Sequence, residues 1–120
     1  MKNLYANQYL QEASLIIEQL DIASIETITE LLVKLRQSGG RLFLVGVGGG
    51  AGHASHAVND FRKLANIEAY SPADNISELT ARTNDEGWDT TYAAWLHVSR
   101  LSGSDMLLIF SVGGGPHPKH

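Results

Sequence analysis

Cysteine is absent from the 120-residue chain. Its absence excludes a disulfide framework and any thiolate metal site, and it permits a reducing compartment without requiring one. Basic charge is also scarce. Against 13 Asp and Glu stand 9 Lys and Arg, which gives a net charge of -4 and a pI near 5.6. The densest basic run is Arg62-Lys63, so a nucleic-acid partner is not expected. No apolar run reaches the length that spans a bilayer, and the N-terminal stretch MKNLYANQYLQEAS lacks the apolar core of a signal peptide. No membrane partner is expected, and the cytoplasm is the default location. The length suits one domain, and a hydrophobic content of 43% is ordinary for a globular chain.

What the sequence does have is glycine in an unusual place. The stretch LFLVGVGGGAGHASH, residues 42–56, sets a run of β-formers ahead of Gly46, Gly48, Gly49, Gly50 and Gly52. Apolar periodicity predicts a helix over residues 4–20 through Tyr9, Ala13, Ile16, Ile17 and Leu20, and a second helix capped by Ser24. The second carries the stripe Ile25, Ile28, Leu31, Leu32 and Leu35, and Ser38-Gly39-Gly40 ends it. Arg41 to Val45 reads as a strand buried on both faces. A helix over 51–64, a weak strand over 67–70 and a short helix over 77–83, capped by Asn75 or Ser77, follow. A helix capped by Asp89, with Tyr92, Trp95, Leu96 and Val98 as its apolar members, comes next. The turn Leu101 to Asp105 leads into a last strand over 106–112, which runs into Gly113-Gly114-Gly115.

Alternating strands and helices imply a three-layer αβα sandwich around a parallel sheet. Ligands on such sheets bind beyond the carboxyl ends of the strands, where both glycine segments, 46–50 and 113–115, fall. The expected organisation is one domain, with N-terminal helices over 1–39, an α/β core over 40–115 and a loose tail over 116–120.

Strand, glycine turn and helix together form an anion-binding arrangement. Glycine lets backbone N–H groups approach a phosphate, and the helix dipole favours negative charge. A nucleotide P-loop would need a Lys-Ser/Thr pair after the loop; Ala51-Gly52-His53 has none. A dinucleotide fingerprint is met formally by Gly46, Gly48 and Ala51, with Glu68 as the acid further on. A sugar-phosphate site and a ligand-free tight turn are the other readings. On the following helix His53, His56 and Asp60 fall on one face, within about 60° of one another. Imidazole and carboxylate suit zinc or another divalent ion, and a carboxylate there can serve as a general base. The plainer alternative is that His53 merely lies near the helix N-terminus and His56 packs in a half-buried interface.

Three segments carry a resemblance: GRLFLVGVGGGAGHASHAVNDF, ELTARTNDEGW and SGSDMLLIFSVGGG. In order and spacing they resemble SIS (sugar isomerase) domains, nearest the phosphoheptose isomerase branch, and the resemblance spans the chain from Leu4 onward. It implies an α/β sandwich, a homodimer or homotetramer, and a sugar-phosphate substrate interconverted between aldose and ketose through an enediol, with no nucleotide. Gly48 and Gly49 match the glycines of the first phosphate loop, with Gly50 beside them; Ser111 matches the first serine of the second, where Val112, Gly113 and Gly114 replace hydroxyl residues and would bind phosphate through main-chain donors; Asn84 and Asp85 match an element near the sugar. His56 and Asp60 match the catalytic and metal positions, where several members bind zinc, and His53 is a third candidate metal ligand. Departures accompany the match. Gly50 replaces a serine, Val47 an asparagine and Asp60 a glutamate. The family continues past the second loop to a late histidine, for which His117 and His120 are poor substitutes, so a missing C-terminal part is expected. A non-catalytic sugar-phosphate binder, an assembly subunit and a dinucleotide-binding domain stand as rivals.

Overall fold

The computed structural model describes residues 4–114. The chain divides into two compact units, Met1–Leu32 and Val33–His120, with the division inside the second helix. In the first unit α1 runs over Tyr5–Glu18 and α2 begins at Ile22. The α2 start is set by Asp21, not by Ser24. The Asp21 carboxylate accepts from the Ser24 N–H at 3.1 Å, because Asp21 is the residue whose side chain can reach the free donors of the first turn. The Ser24 hydroxyl, which donates to the other carboxylate oxygen at 2.6 Å, and with it the N–H bond, hold the Asp21 carboxyl below its ordinary value. α1 has no buried residue, and in α2 only Leu35 of the predicted stripe is buried.

The second unit is built on a three-stranded parallel sheet in the order β2-β1-β3. α2 reaches Ser38 and ends where the glycines predict. Gly39 lies at φ +72°, its N–H meets Arg36 O, and the Gly40 N–H meets Leu35 O, so two orphan carbonyls are satisfied. β1 is Leu42–Gly46, buried at every position, and its aliphatic run fills the sheet centre. α3 (Gly49–Lys63) follows, then β2 (Ala69–Tyr70), a short 3-10 turn at Pro72–Asp74, α4 (Ile76–Glu86), α5 (Trp88–Val98) and β3 (Met106–Phe110).

Helices cover both faces of the sheet. Phe43 meets Trp95 of α5 with ring centroids 5.8 Å apart, while His53 of α3 meets Phe110, which pairs with Gly46. Phe43 and Gly46 lie three residues apart on one strand and so face opposite ways. The predicted sandwich is therefore present. Several boundaries differ from expectation. α4 is longer than 77–83 and is capped by Asn75, whose side chain accepts from the Glu78 N–H at 3.1 Å. Asp89 does not cap α5; Gly87, at φ +91°, holds that position, and Asp89 lies in the first turn. β3 stops at Phe110, leaving Ser111 and Val112 as loop. Gly115, His117 and His120 lie outside the described residues.

The amino ends of β1 and β3 are joined by an ion pair that sequence reading did not pick out. Asp105 has a side chain only 3% exposed. Its carboxylate accepts from the Arg41 N–H (3.0 Å), Nε (3.1 Å) and Nη2 (2.8 Å), and from the Ser102 N–H and Oγ, both at 2.9 Å. Arg41 also donates to Ser99 O and Arg100 O, closing the carboxyl end of α5. Parallel register makes this contact: Leu42 pairs Met106, so the residues just before them are neighbours too. The Arg41 guanidinium holds the Asp105 carboxyl far below the usual carboxylate range. Because the folded value is depressed, its contribution to stability is present above the ordinary value of 3.8 and is lost as pH falls below it. Asp105→Asn is expected to lower Tm at pH 7 by on the order of 5 °C or more, and to weaken the loss of stability on acidification below about pH 5. Thermal melts of both chains from pH 7 to pH 3 check this.

Candidate functional site

The site is organised where β1 gives way to α3. Gly46 ends the strand, and a Cβ there would overlap the backbone of Gly50, so only glycine allows the helix to begin this close to the sheet. Gly48 is the N-cap of α3 at φ +57°, ψ -120°, a conformation that side chains other than glycine's disfavour. Gly49 and Gly50 belong to the first helical turn rather than to a loop. The Gly50 N–H bonds Val47 O and the Ala51 N–H bonds Gly48 O. Among the described residues the N–H groups of Gly48 and Gly49 have no acceptor.

Beside them is an open cleft of about 700 Å³. Its floor and walls include Gly49, Gly50, His53, Tyr92, Phe110 and Ser111. The two predicted phosphate segments therefore do share one cleft, through Gly49 and Gly50 on one side and Ser111 on the other. Ser111 Oγ accepts from the Gly114 N–H at 2.9 Å, which curls the segment after β3 and leaves the hydroxyl hydrogen free to donate. Gly113 and Gly114 shape this turn without lining the cleft; Gly114 is at φ +68°. Among the described residues neither Lys nor Arg lines the cleft, and main-chain donors, the hydroxyls of Ser111 and Tyr92 and the His53 imidazole make up its polar character.

Other candidate residues lie elsewhere. His56 and Asp60 pair with each other on α3, Nε2 to Oδ2 3.4 Å, with side chains 78% and 47% exposed, and neither lines the cleft. His53 does not join them: among the described residues no group of three or more His, Cys, Asp or Glu side chains could hold a metal. A zinc centre needs at least three protein ligands, and the two present do not fit it. Their helical spacing put His53, His56 and Asp60 on one side of α3, but the cleft reaches only the first of them. Asn84 and Asp85 sit in the last turn of α4, where Asn84 Nδ2 donates to Asp85 Oδ1 at 2.8 Å; both are exposed and outside the cleft lining.

One cleft residue was read from sequence only as an apolar helix member. Tyr92 Oη donates to Gly46 O at 2.6 Å. Partial burial pushes its phenol pKa up, so it remains a donor through the neutral range. Tyrosine at that place in the helical stripe was the available signal, since a buried phenol calls for a hydrogen-bond partner.

No protein-family model matches the chain. Curated relatives do. A phosphoheptose isomerase of Roseiflexus sp. (strain RS-1) is 30% identical over 112 residues, covering 86% of this chain and 56% of that protein. A probable phosphoheptose isomerase of Thermoplasma volcanium is 26% identical over 112 residues, covering 89% and 57%. The chain is a distant homologue of phosphoheptose isomerases. Its fold agrees: the solved phosphoheptose isomerase from Neisseria gonorrhoeae superposes with a TM-score of 0.77 at 22% identity, over 88% of this chain and 58% of that one. The architecture is accordingly that of the SIS fold. The chain spans a little over half the length of these phosphoheptose isomerases.

Two glycines of α3 separate backbone need from mere helix composition. Gly48→Ala is expected to destabilise the fold by about 1–3 kcal/mol, because the positive φ is required there. Gly52→Ala, in the helix with no atom within 4 Å of the added Cβ, is expected to stabilise it by about 0.5–1 kcal/mol. Urea unfolding curves measure both.

Proposed function

We propose that the chain binds a phosphosugar, with the phosphate at the cleft between the α3 amino end and Ser111. The carrying observation is the pair of unpaired N–H groups at Gly48 and Gly49 opening beside that cleft. Supporting it, the N-terminal end of a helix favours an anion, Ser111 can add a hydroxyl donor, and the relatives' printed activity concerns a phosphorylated heptose. The P-loop lysine is missing and Glu68 is on the far part of the unit's sheet, hydrogen-bonded to Tyr70, so the phosphosugar is preferred to a nucleotide or dinucleotide.

Within that reading, the reaction is aldose-ketose isomerisation of a heptose 7-phosphate or a related phosphosugar through an enediol. A proton moves between adjacent carbons, which requires a base at carbon, an acid at oxygen and donors for the developing oxyanion. Asp60 is the base and His56 the acid in this assignment. Their mutual contact at 3.4 Å supports it, because a carboxylate and an imidazole in contact can share a proton. No step runs through zinc. The reading carries a cytosolic setting and a homodimeric or homotetrameric assembly. A binding module without turnover is the second reading, favoured by the separation of His56 and Asp60 from the cleft lining.

Calorimetry with sedoheptulose 7-phosphate tests the binding, and a turnover assay with the same compound tests the chemistry. An added Cβ at Gly49 meets no atom within 4 Å, so Gly49→Val is expected to fold and to weaken phosphosugar binding by tenfold or more. Unchanged affinity removes the loop from the site. Asp60→Ala is expected to leave binding intact and to abolish any turnover of the unaltered chain; retained turnover refutes its role as base.

A further inference from the structure

β2 is only two residues long and pairs with Leu42 and Phe43 alone. The chain's register alternates its hydrogen-bonding groups: the Leu42 N–H turns to Glu68 O on the β2 side, and Arg41 O receives the Met106 N–H on the β3 side. By that alternation Gly46 O faces the β2 side, beyond the point where β2 has ended. Tyr92 supplies the missing partner from α5, at 2.6 Å. The face of Gly46 toward α3, where a Cβ would stand, is closed by the backbone of Gly50. This glycine is thus fixed from two sides immediately before the unpaired N–H groups of Gly48 and Gly49.

The peptide bond after Gly46 is trans, as are all the described peptide bonds. Its C=O and N–H therefore point in opposite directions, so fixing one fixes the other. With the carbonyl drawn toward Tyr92, the Val47 N–H is directed to the β3 side, where Phe110 and Ser111 wall the cleft. The same bond occupies a carbonyl oxygen at the mouth of the cleft that would otherwise present its lone pairs to an anion.

We infer that Tyr92 is a positioning residue of the cleft: its hydroxyl sets the plane of the Gly46–Val47 peptide, and through it the direction of the main-chain donors that meet a phosphate monoester. The inference rests on the phosphosugar reading above. The hydroxyl is not the sole contact of α5 with the fold: Trp95 packs against Phe43, and Thr91, 1% exposed, lies 3.4 Å from the Thr83 hydroxyl of α4.

The test uses the full chain with Tyr92→Phe, and with Thr91→Val as a comparison that removes a hydroxyl from the same helix away from the cleft. Inorganic phosphate and sedoheptulose 7-phosphate are titrated and followed by amide NMR. Tyr92→Phe is expected to shift the Val47, Gly48 and Gly49 amide resonances of the free chain and to weaken both ligands about fivefold. Thr91→Val is expected to lower Tm while leaving both affinities within twofold of the unaltered chain. Unmoved loop resonances with unaltered affinity in Tyr92→Phe overturn the inference and leave the cleft reading standing. An equal loss of affinity in Thr91→Val overturns it as well, since the effect is then one of general stability. If the unaltered chain binds neither ligand at millimolar concentration, the phosphosugar reading fails and the inference fails with it.

Discussion

The contact between the last residue of β1 and the first turn of α3 sets the geometry of the site. Gly46 and Gly50 meet backbone to backbone, closer than any side chain at Gly46 would permit. Seated this way, the amino end of α3 lies at the carboxyl edge of the sheet with two donors uncommitted. Strand β3 joins the same arrangement: a Cβ at Gly50 would stand 3.0 Å from Phe110 O. Strand, helix and neighbouring strand converge on a spot with almost no side-chain volume, and the space left over is the cleft.

The two ends of the sheet are treated differently. At the amino ends, Arg41 and Asp105 form a closed network in which one guanidinium reaches a carboxylate and two carbonyls of the α5 terminus. A nearly buried carboxylate is tolerable because five donors surround it; removing its partner would leave a charge without compensation. At the carboxyl ends no such closure exists among the described residues, and the polar groups are main-chain N–H, one serine hydroxyl, the Tyr92 phenol and one imidazole. The end that is rigidly paired fixes the strand register, and that register delivers Gly46, Phe110 and Ser111 to the open end together.

Distant homology to phosphoheptose isomerases and the SIS fold account for the architecture and for the glycine cleft. They account less well for the contact between His56 and Asp60. His56 and Asp60 form a contact of their own on the exposed side of α3, and the site they would serve is completed by nothing else among the described residues. The cleft and the pair are distinct features of one helix, the first near its amino end and the second one to two turns along. The chain spans a little more than half the length of these relatives, and the glycine cleft lies within that span.

Local sequence determined the elements that depend on local chemistry. The aliphatic run before Gly46 could only be an interior strand, Ser38-Gly39-Gly40 could only end a helix, and glycines after a strand invited a helix start built on bare backbone. Cap positions were less legible: Asp21 holds the α2 start through its side chain, whereas Gly87 holds the α5 start through its backbone conformation, with no side-chain cap bond. Tertiary structure alone decided what depends on separation along the chain: that Arg41 faces Asp105 across 64 residues, that Tyr92 reaches Gly46 across 46, and that His53 enters the cleft while His56 and Asp60 do not. Helical spacing reports which side chains share a face, but the direction in which that face looks is fixed by the packing of the helix on the sheet, and no single segment encodes it.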